Sequence, residues 1–466
     1  MATCTGSISS SNPESNQEAT TLTYEASNRA FISQTLEILG ISIKELLDAE
    51  RTLSEELYAH VIKKQESIMQ EQSERIRRSK EEGWGGKWGR MAATVGGVAL
   101  GGVAIGITGG LAAPVLLPLL PFISATAVTP AIVGGLFGLA GGGLTGYRVR
   151  KRWAGVQHFD FIELSGPNAA GSPGSHNVHE SPSLPDTIEL RETPRPKAPS
   201  LVASIIIPGI QVESEHESLD AAKACRRLFE ESKQDLFVLS HSPDAMLIIG
   251  QSLSSWVKSQ LVTQAKMEII KHTALSAVVA AVSLPVSIYI ATGLIVDNDW
   301  IRARDRAQKA AILLAEALHD GIQGKRPVTL IGFSLGALVL FEALLILDSK
   351  GVGEGGARGV GPLVDTAVLI SLPSAPSKKE WRKARSQIGR RMVNAYCSND
   401  FVLASVGRLH EVLGGANMGS IGGLCSTDTI GGVDGVENVD LSSVIEGHLD
   451  ISARMALILE QIDIMA

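Results

Sequence analysis

The sequence predicts an α/β fold in which a mostly parallel sheet is flanked by helices, and three observations predict it. The run LVASIII over 201–207 is mostly apolar, rich in β-branched residues and closed by Pro208-Gly209, the pattern of a strand buried on both faces that meets a loop. Beyond it, strand-like and helical runs alternate, as parallel strands with crossover helices require. One of these pairs, VTLIGFSLGALVL over 328–340, passes from strand to helix through a glycine-flanked serine.

The alternation reads as helix 221–232, strand 236–239, helix 246–270, helix 303–319, strand 328–333, helix 335–347, strand 364–372, strand 391–397 and a terminal helix 450–464. The sheet is expected to start near residue 201, and the unit to cover 201–466. It is interrupted by an uncharged run, 273–296, with Pro285 in its middle. A span there would put consecutive strands of one sheet on opposite sides of a bilayer, so the run is read as a buried or membrane-contacting helical hairpin.

Four segments precede this unit. Residues 1–21 are polar and Ser-rich without an apolar core, which reads as a disordered tail and not a secretory signal. Residues 22–90 carry apolar side chains at helical spacing and a charged last third, giving two or more amphipathic helices, either an ordinary helical subdomain or a coiled-coil-like stretch. Residues 91–147 contain no charge, and about 20 apolar residues suffice for one bilayer crossing. The run predicts a helical hairpin, transmembrane or else buried and Gly/Ala-rich. Basic residues on both sides (Lys87, Arg90, Arg148, Arg150) would keep both ends of a spanning hairpin in the cytosol. After a short strand-like run at 159–164, residues 165–200 are a Gly/Ser/Pro-rich linker.

The chain has 466 residues, 44% of them hydrophobic, enough for a full core. A net charge of −7 argues against nucleic acid as a partner, because neutralising phosphates needs a basic surface. Cys4, Cys225, Cys397 and Cys425 are far apart and form no CxxC pair, so neither a zinc site nor a disulfide framework is expected. His158, His176 and His179 read as loop residues, and no metal or cofactor is expected.

Gly332-Phe333-Ser334-Leu335-Gly336 fits the G-x-S-x-G nucleophile elbow, with a strand before and a helix after it. The serine must occupy a strained turn. Gly332 and Gly336 relieve crowding around it, and the following helix N-terminus favours developing negative charge. This is the signature of an α/β-hydrolase, whose partners follow in the order Ser, acid, His. Asp400 lies just past a strand end and His448 lies in the polar break before the terminal helix. Ser334 is then the nucleophile, His448 the general base and Asp400 the residue that orients the imidazole. Asp365, Asp434 and Asp440 are rival acids, and His410 is the rival base. The oxyanion hole should use the backbone N–H of Leu335 and one from Gly209 or Ile210.

Several segments together resemble the transmembrane and coiled-coil domain-containing protein 4 family, also known as domain-of-unknown-function family 726. They are Val296-Asp297-Asn298-Asp299-Trp300, the stretch from Lys325 to Ala337, Asn394 to Asp400, Val436 to Ser442, and Gly447-His448. The resemblance runs from about Lys80 to the C-terminus. It implies an α/β-hydrolase core behind a helical region and a hydrophobic hairpin, and it supports Ser334, Asp400 and His448 position by position. This chain departs at Pro208 and Ile210, where the family usually has Ser and Trp, at Asp299, where it has Pro, and at Phe401, where it has Trp.

The expected function is a membrane-associated serine hydrolase, esterase- or lipase-like, acting on an ester, with membrane lipid as a partner and the catalytic domain facing the cytosol. The N-terminal helices are a candidate surface for a protein partner. The alternatives are a trafficking or scaffold protein on a hydrolase fold, or an esterase of specialised metabolism.

Overall fold

The computed structural model describes residues 24–81, 136–137, 158–164, 198–231, 234–267, 286–353, 362–404 and 421–465. Seven strands form one sheet: β1 (Phe159–Glu163), β2 (Ala203–Ile207), β3 (Asp235–His241), β4 (Val328–Phe333), β5 (Val364–Ile370), β6 (Ile388–Tyr396) and β7 (Val436–Asp440). Their order is β1-β3-β2-β4-β5-β6-β7. Only β1 is antiparallel, pairing with β3, and all other neighbours are parallel.

The central strands β2, β4 and β5 are buried along their whole length. Their largely apolar sequences follow from this, since a parallel strand with helices on both faces has no solvent side. Helices α1 (Ala26–Ile38), α2 (Ile43–Glu81), α3 (Glu217–Glu231), α4 (Pro243–Met267), α5 (Val286–His319), α6 (Leu335–Gly353), α7 (Lys378–Ser386) and α8 (Ile451–Gln461) complete the described fold. The two largest apolar clusters among the described residues pack on the sheet. One joins residues of α4, α5, α6 and α7 to the sheet, including Ile249, Trp300, Leu338 and Trp381. The other joins α3 and α8 to the sheet through residues such as Phe229, Ile331 and Met455.

The chain reverses its direction across the sheet between β2 and β4. From β2 it steps outward to β3, returns to the other side of β2 as β4, and proceeds to β7. At such a switch point the two loops leaving the carboxyl ends of adjacent strands diverge and open a crevice. Pro208 and Gly209 leave β2 there, and Ser334 leaves β4.

Several expectations change. The sheet begins earlier in the chain than residue 201, because β1 adds to its edge. Helix α7 and strand β7 extend the predicted element order. Of the uncharged run 273–296, residues 286–296 are described, and they form the first part of α5, which runs unbroken to His319. Residues 268–285 lie outside the described residues, as does the run 91–147 apart from Leu136 and Phe137. Those two are buried against Tyr24, Leu201 and Val202. Among the described residues no helix is long and apolar enough to cross a membrane, so the expected hydrophobic hairpin finds no support there.

Candidate functional site

Ser334 sits between β4 and α6 with φ at 56°, in the left-handed region that costs a non-glycine residue free energy. The surroundings hold it there. Its N–H donates to Ile370 O of β5 at 2.9 Å, and its carbonyl accepts from Ala337 N at 2.9 Å. The turn leaves no room for side chains beside it. A Cβ on Gly336 would lie 2.0 Å from Ile207 O, and one on Gly332 2.5 Å from Gly336 O. Both glycines of the expected elbow are therefore required by backbone approach, not by flexibility.

Ser334 Oγ lies 2.6 Å from His448 Nε2. His448 Nδ1 lies 2.6 Å from Asp400 Oδ2. A ring nitrogen facing a carboxylate oxygen is the protonated one, so Nδ1–H donates to Asp400 and Nε2 accepts the serine O–H. The other carboxylate oxygen, Oδ1, accepts the Leu403 N–H at 2.8 Å, which fixes the carboxylate plane. All three side chains are buried, at 2% exposure for Ser334, 5% for His448 and none for Asp400. An imidazole bridging a hydroxyl and a buried carboxylate can take the hydroxyl proton while the carboxylate stabilises the imidazolium.

The rival acids lie elsewhere. Asp365 is near the start of β5, at the opposite end of the sheet, where it pairs with Arg29 at 2.7 Å and Arg390 at 3.2 Å. Asp440 accepts from Ser442 N at 2.8 Å, and Asp434 is exposed. His410 lies outside the described residues. Among the described residues no group of three or more His, Cys, Asp or Glu side chains is placed to hold a metal ion.

Gly209 presses on the elbow from the β2 side: a Cβ there would be 2.4 Å from Phe333 O and 2.7 Å from both Leu335 N and Ser334 Cβ. Of the backbone positions expected to bind an oxyanion, Leu335 and Gly209 are thus brought together at the switch point, with Ile210 next in the chain. Neither Gly209 nor Ile210 donates its N–H to a backbone acceptor among the described turns and loops.

Helix α4 spans this edge. A Cβ on Gly250 would meet Gln211 O at 1.9 Å, so the helix lies against the loop after β2. Six residues on, Trp256 stacks on Phe401, ring centroids 5.3 Å apart at 10°, so it also reaches the turn that carries Asp400. Three of the four departures from the family pattern touch this helix. Phe401 is half of the stack, Ile210 packs beside Gly250, and Asp299 Oδ2 accepts from Ser252 Oγ at 2.8 Å, tying α5 to α4.

Two features of the site have no local sequence signature. Trp256 sits mid-helix without a motif. His241 ends β3, and its Nε2 lies 2.8 Å from Pro208 O while its Nδ1 has no partner among the described residues. Burial pushes this imidazole's pKa down to about 4, so the ring is neutral near pH 7. The only available hint was a histidine two residues beyond the predicted strand 236–239.

The chain is similar to transmembrane and coiled-coil domain-containing protein STS1 of Oryza sativa subsp. japonica, with 29% identity over 403 residues, 81% of this chain and 53% of the relative. It is 27% identical over 459 residues to an uncharacterised membrane protein of Caenorhabditis elegans, 95% of this chain and 64% of the relative. A protein of Saccharomyces cerevisiae named probable lipase MIL1 shares 32% identity over 230 residues, 49% of this chain and 20% of the relative. The chain thus spans between about half and two thirds of the length of the first two relatives. No solved structure matches it significantly. The family described as Protein of unknown function (DUF726) matches residues 87–465, and the chain belongs to that family.

Proposed function

We propose that this chain is a serine hydrolase of the α/β-hydrolase fold that cleaves esters in a lipase-like reaction at a membrane surface. The observation that carries the reading is the pair of 2.6 Å contacts from Ser334 through His448 to Asp400, set at a strained strand-to-helix turn. The name of the yeast relative, probable lipase, supports the substrate class. The membrane part is supported by the names of the rice and nematode relatives and by the uncharged run at 91–147. The basic residues at both ends of that run support a cytosolic catalytic domain.

In this reading His448 Nε2 takes the Ser334 proton as Oγ attacks the ester carbonyl carbon. The carbonyl oxygen becomes an oxyanion that accepts hydrogen bonds from Leu335 N–H and from Gly209 or Ile210 N–H. The tetrahedral species collapses, the C–O bond to the alcohol breaks, and the alcohol leaves with the proton from His448. Water, deprotonated by His448, then attacks the acyl-serine and releases the acid. Trp256 and Phe401 offer an apolar wall beside the acid-bearing turn, suited to an acyl chain.

A fluorophosphonate probe applied to the full chain in separated membrane and soluble fractions tests both parts. Labelling at Ser334 in the membrane fraction, abolished by Ser334→Ala, is expected. Labelling that persists in Ser334→Ala, or its absence from folded wild-type protein, sinks the hydrolase reading; labelling confined to the soluble fraction sinks the membrane part.

A further inference from the structure

We infer that His241 is a positioning residue that sets the oxyanion hole by holding the Pro208-Gly209 peptide in one orientation. This rests on the hydrolase reading of Ser334 and adds to it a residue from a third strand.

The argument starts from the peptide plane. A trans peptide is rigid, and its C=O and N–H point in opposite directions. The chain has no cis peptide bond among the described residues. The carbonyl of Pro208 and the N–H of Gly209 belong to one such plane, so fixing the first aims the second. His241 fixes the first, since its Nε2 lies 2.8 Å from Pro208 O. A carbonyl oxygen only accepts, so Nε2 carries the proton and donates.

The peptide is gripped from both sides. Strand β2 lies between β3, which ends in His241, and β4, which ends at Ser334. Pro208 O meets His241 on the first side and, beside the elbow on the second, lies 2.7 Å from where a Cβ on Gly336 would stand, so the peptide has little room to turn. Gly209 already touches that elbow, with the place of its absent Cβ 2.7 Å from Leu335 N. Turned the other way, the same peptide would present a carbonyl oxygen to a developing oxyanion and repel it. Hydrogen-bond donors stabilise an oxyanion effectively only when they are oriented before the charge appears.

The bond is also protected from competition. His241 is 2% exposed, so water does not replace it. Its Nδ1 has no partner among the described residues, so none of these draws the ring away from Pro208. Ser242, the next residue, has φ at 43° and donates its N–H to His158 O at 3.2 Å, which holds the end of β3 against the start of β1. The histidine is therefore mounted on a constrained strand end, as a positioning group must be.

The test compares His241→Phe, which keeps ring bulk without a donor, with His241→Gln, whose amide N–H can reach a similar place. Both are measured in the full chain with p-nitrophenyl butyrate and with the fluorophosphonate probe. His241→Phe should lose about tenfold to a hundredfold in kcat and in labelling rate, the scale expected for a misdirected oxyanion donor, with KM changed less than about threefold. His241→Gln should recover most of that loss. Wild-type kcat in the Phe variant, or equal losses in both variants, overturns the inference while Ser334 labelling by the wild type leaves the hydrolase reading standing. An unreactive folded wild type removes that reading and this one with it. Should a variant fail to fold, 15N NMR of the histidine rings in the wild type decides: His241 must be neutral at pH 7 with its proton on Nε2, and a proton on Nδ1 overturns the inference.

Discussion

Arg29, on the first described helix, donates from Nη1 to Asp365 Oδ2 on β5 at 2.7 Å, with the two 336 positions apart in sequence and both side chains buried. The same guanidinium pairs with Glu50 on α2 at 2.8 Å, and Glu50 accepts from Tyr24 Oη. The N-terminal helices are thereby locked onto the end of the sheet remote from Ser334. Removing Arg29 would leave two buried carboxylates short of their cation, with Arg390 as the remaining partner of Asp365. Arg29→Met should cost about 3 to 5 kcal/mol in denaturant unfolding, the usual scale for breaking a buried pair from one side. The double variant Arg29→Met, Asp365→Asn should recover part of it; a double variant no better than the single would show that the pair is not the source.

Acid stability should fall in two stages. His241 is held neutral by burial, its pKa lowered from 6.5 to about 4. The unfolded chain therefore takes up a proton below pH 6.5 that the folded chain refuses, and stability declines from pH 6.5 to about 4, by roughly 3 kcal/mol in all. Asp365 acts lower. Burial opposes its charge, but Arg29 and Arg390 outweigh burial and hold the carboxyl below the usual range. Its contribution is present above the ordinary aspartate pKa and is lost as pH falls through the folded value. Urea midpoints measured every half unit from pH 7 to pH 3 check both stages. The His241→Phe variant should lose the decline above pH 4 and keep the one below.

Close backbone approach makes a sharp contrast between two glycines near the serine and the histidine. Gly336→Ala would place a Cβ 2.0 Å from Ile207 O and 2.7 Å from Pro208 O, both backbone atoms that cannot step aside. It should cost at least about 2 kcal/mol and reduce Ser334 labelling, because β2 and the elbow must separate. Gly447→Ala, beside His448, meets nothing within 4 Å, and its φ of 175° suits any residue. That substitution should change stability by less than about 0.5 kcal/mol. Thermal melts and probe labelling of the pair decide whether crowding, and not glycine itself, sets the requirement.

The central strands and the elbow were legible because their signals are local. Residues 328–333 are apolar but for Thr329, and Ser334 is bracketed by glycines that the backbone contacts demand. His448 and Asp400 were reachable by chain order, and the fold places both within hydrogen-bond distance of their neighbours. Helix α7 could have been found from Ser377 and Glu380, which form a capping box. Strand β7, VENVD, lies at the sheet edge with only two apolar residues and lacks the apolar run that marks the interior strands. The pairings of Arg29 with Asp365, His241 with Pro208 and Trp256 with Phe401 join segments distant in sequence, and no local pattern records them.

Asp400→Asn separates the carboxylate's charge from its shape. The asparagine can keep the Leu403 N–H on its Oδ1, now 2.8 Å from Asp400 Oδ1, so the turn after β6 should hold and the melting temperature should stay within a few degrees. Toward His448 the change is large. An amide Nδ2 facing the ring at the present 2.6 Å contact donates where the carboxylate accepted, so Nδ1 must give up its proton and Nε2 must carry one. That proton then points at Ser334 Oγ, and the imidazole can no longer take the serine's own. Hydrolysis of p-nitrophenyl butyrate should fall roughly 10⁴-fold in kcat, the loss expected when the imidazole is locked in the wrong tautomer. Asp434→Asn and Asp440→Asn, whose carboxylates are exposed, should stay near wild type. A large loss in either of these with little in Asp400→Asn would move the acid to another residue and undo the assignment of His448 as the base it orients.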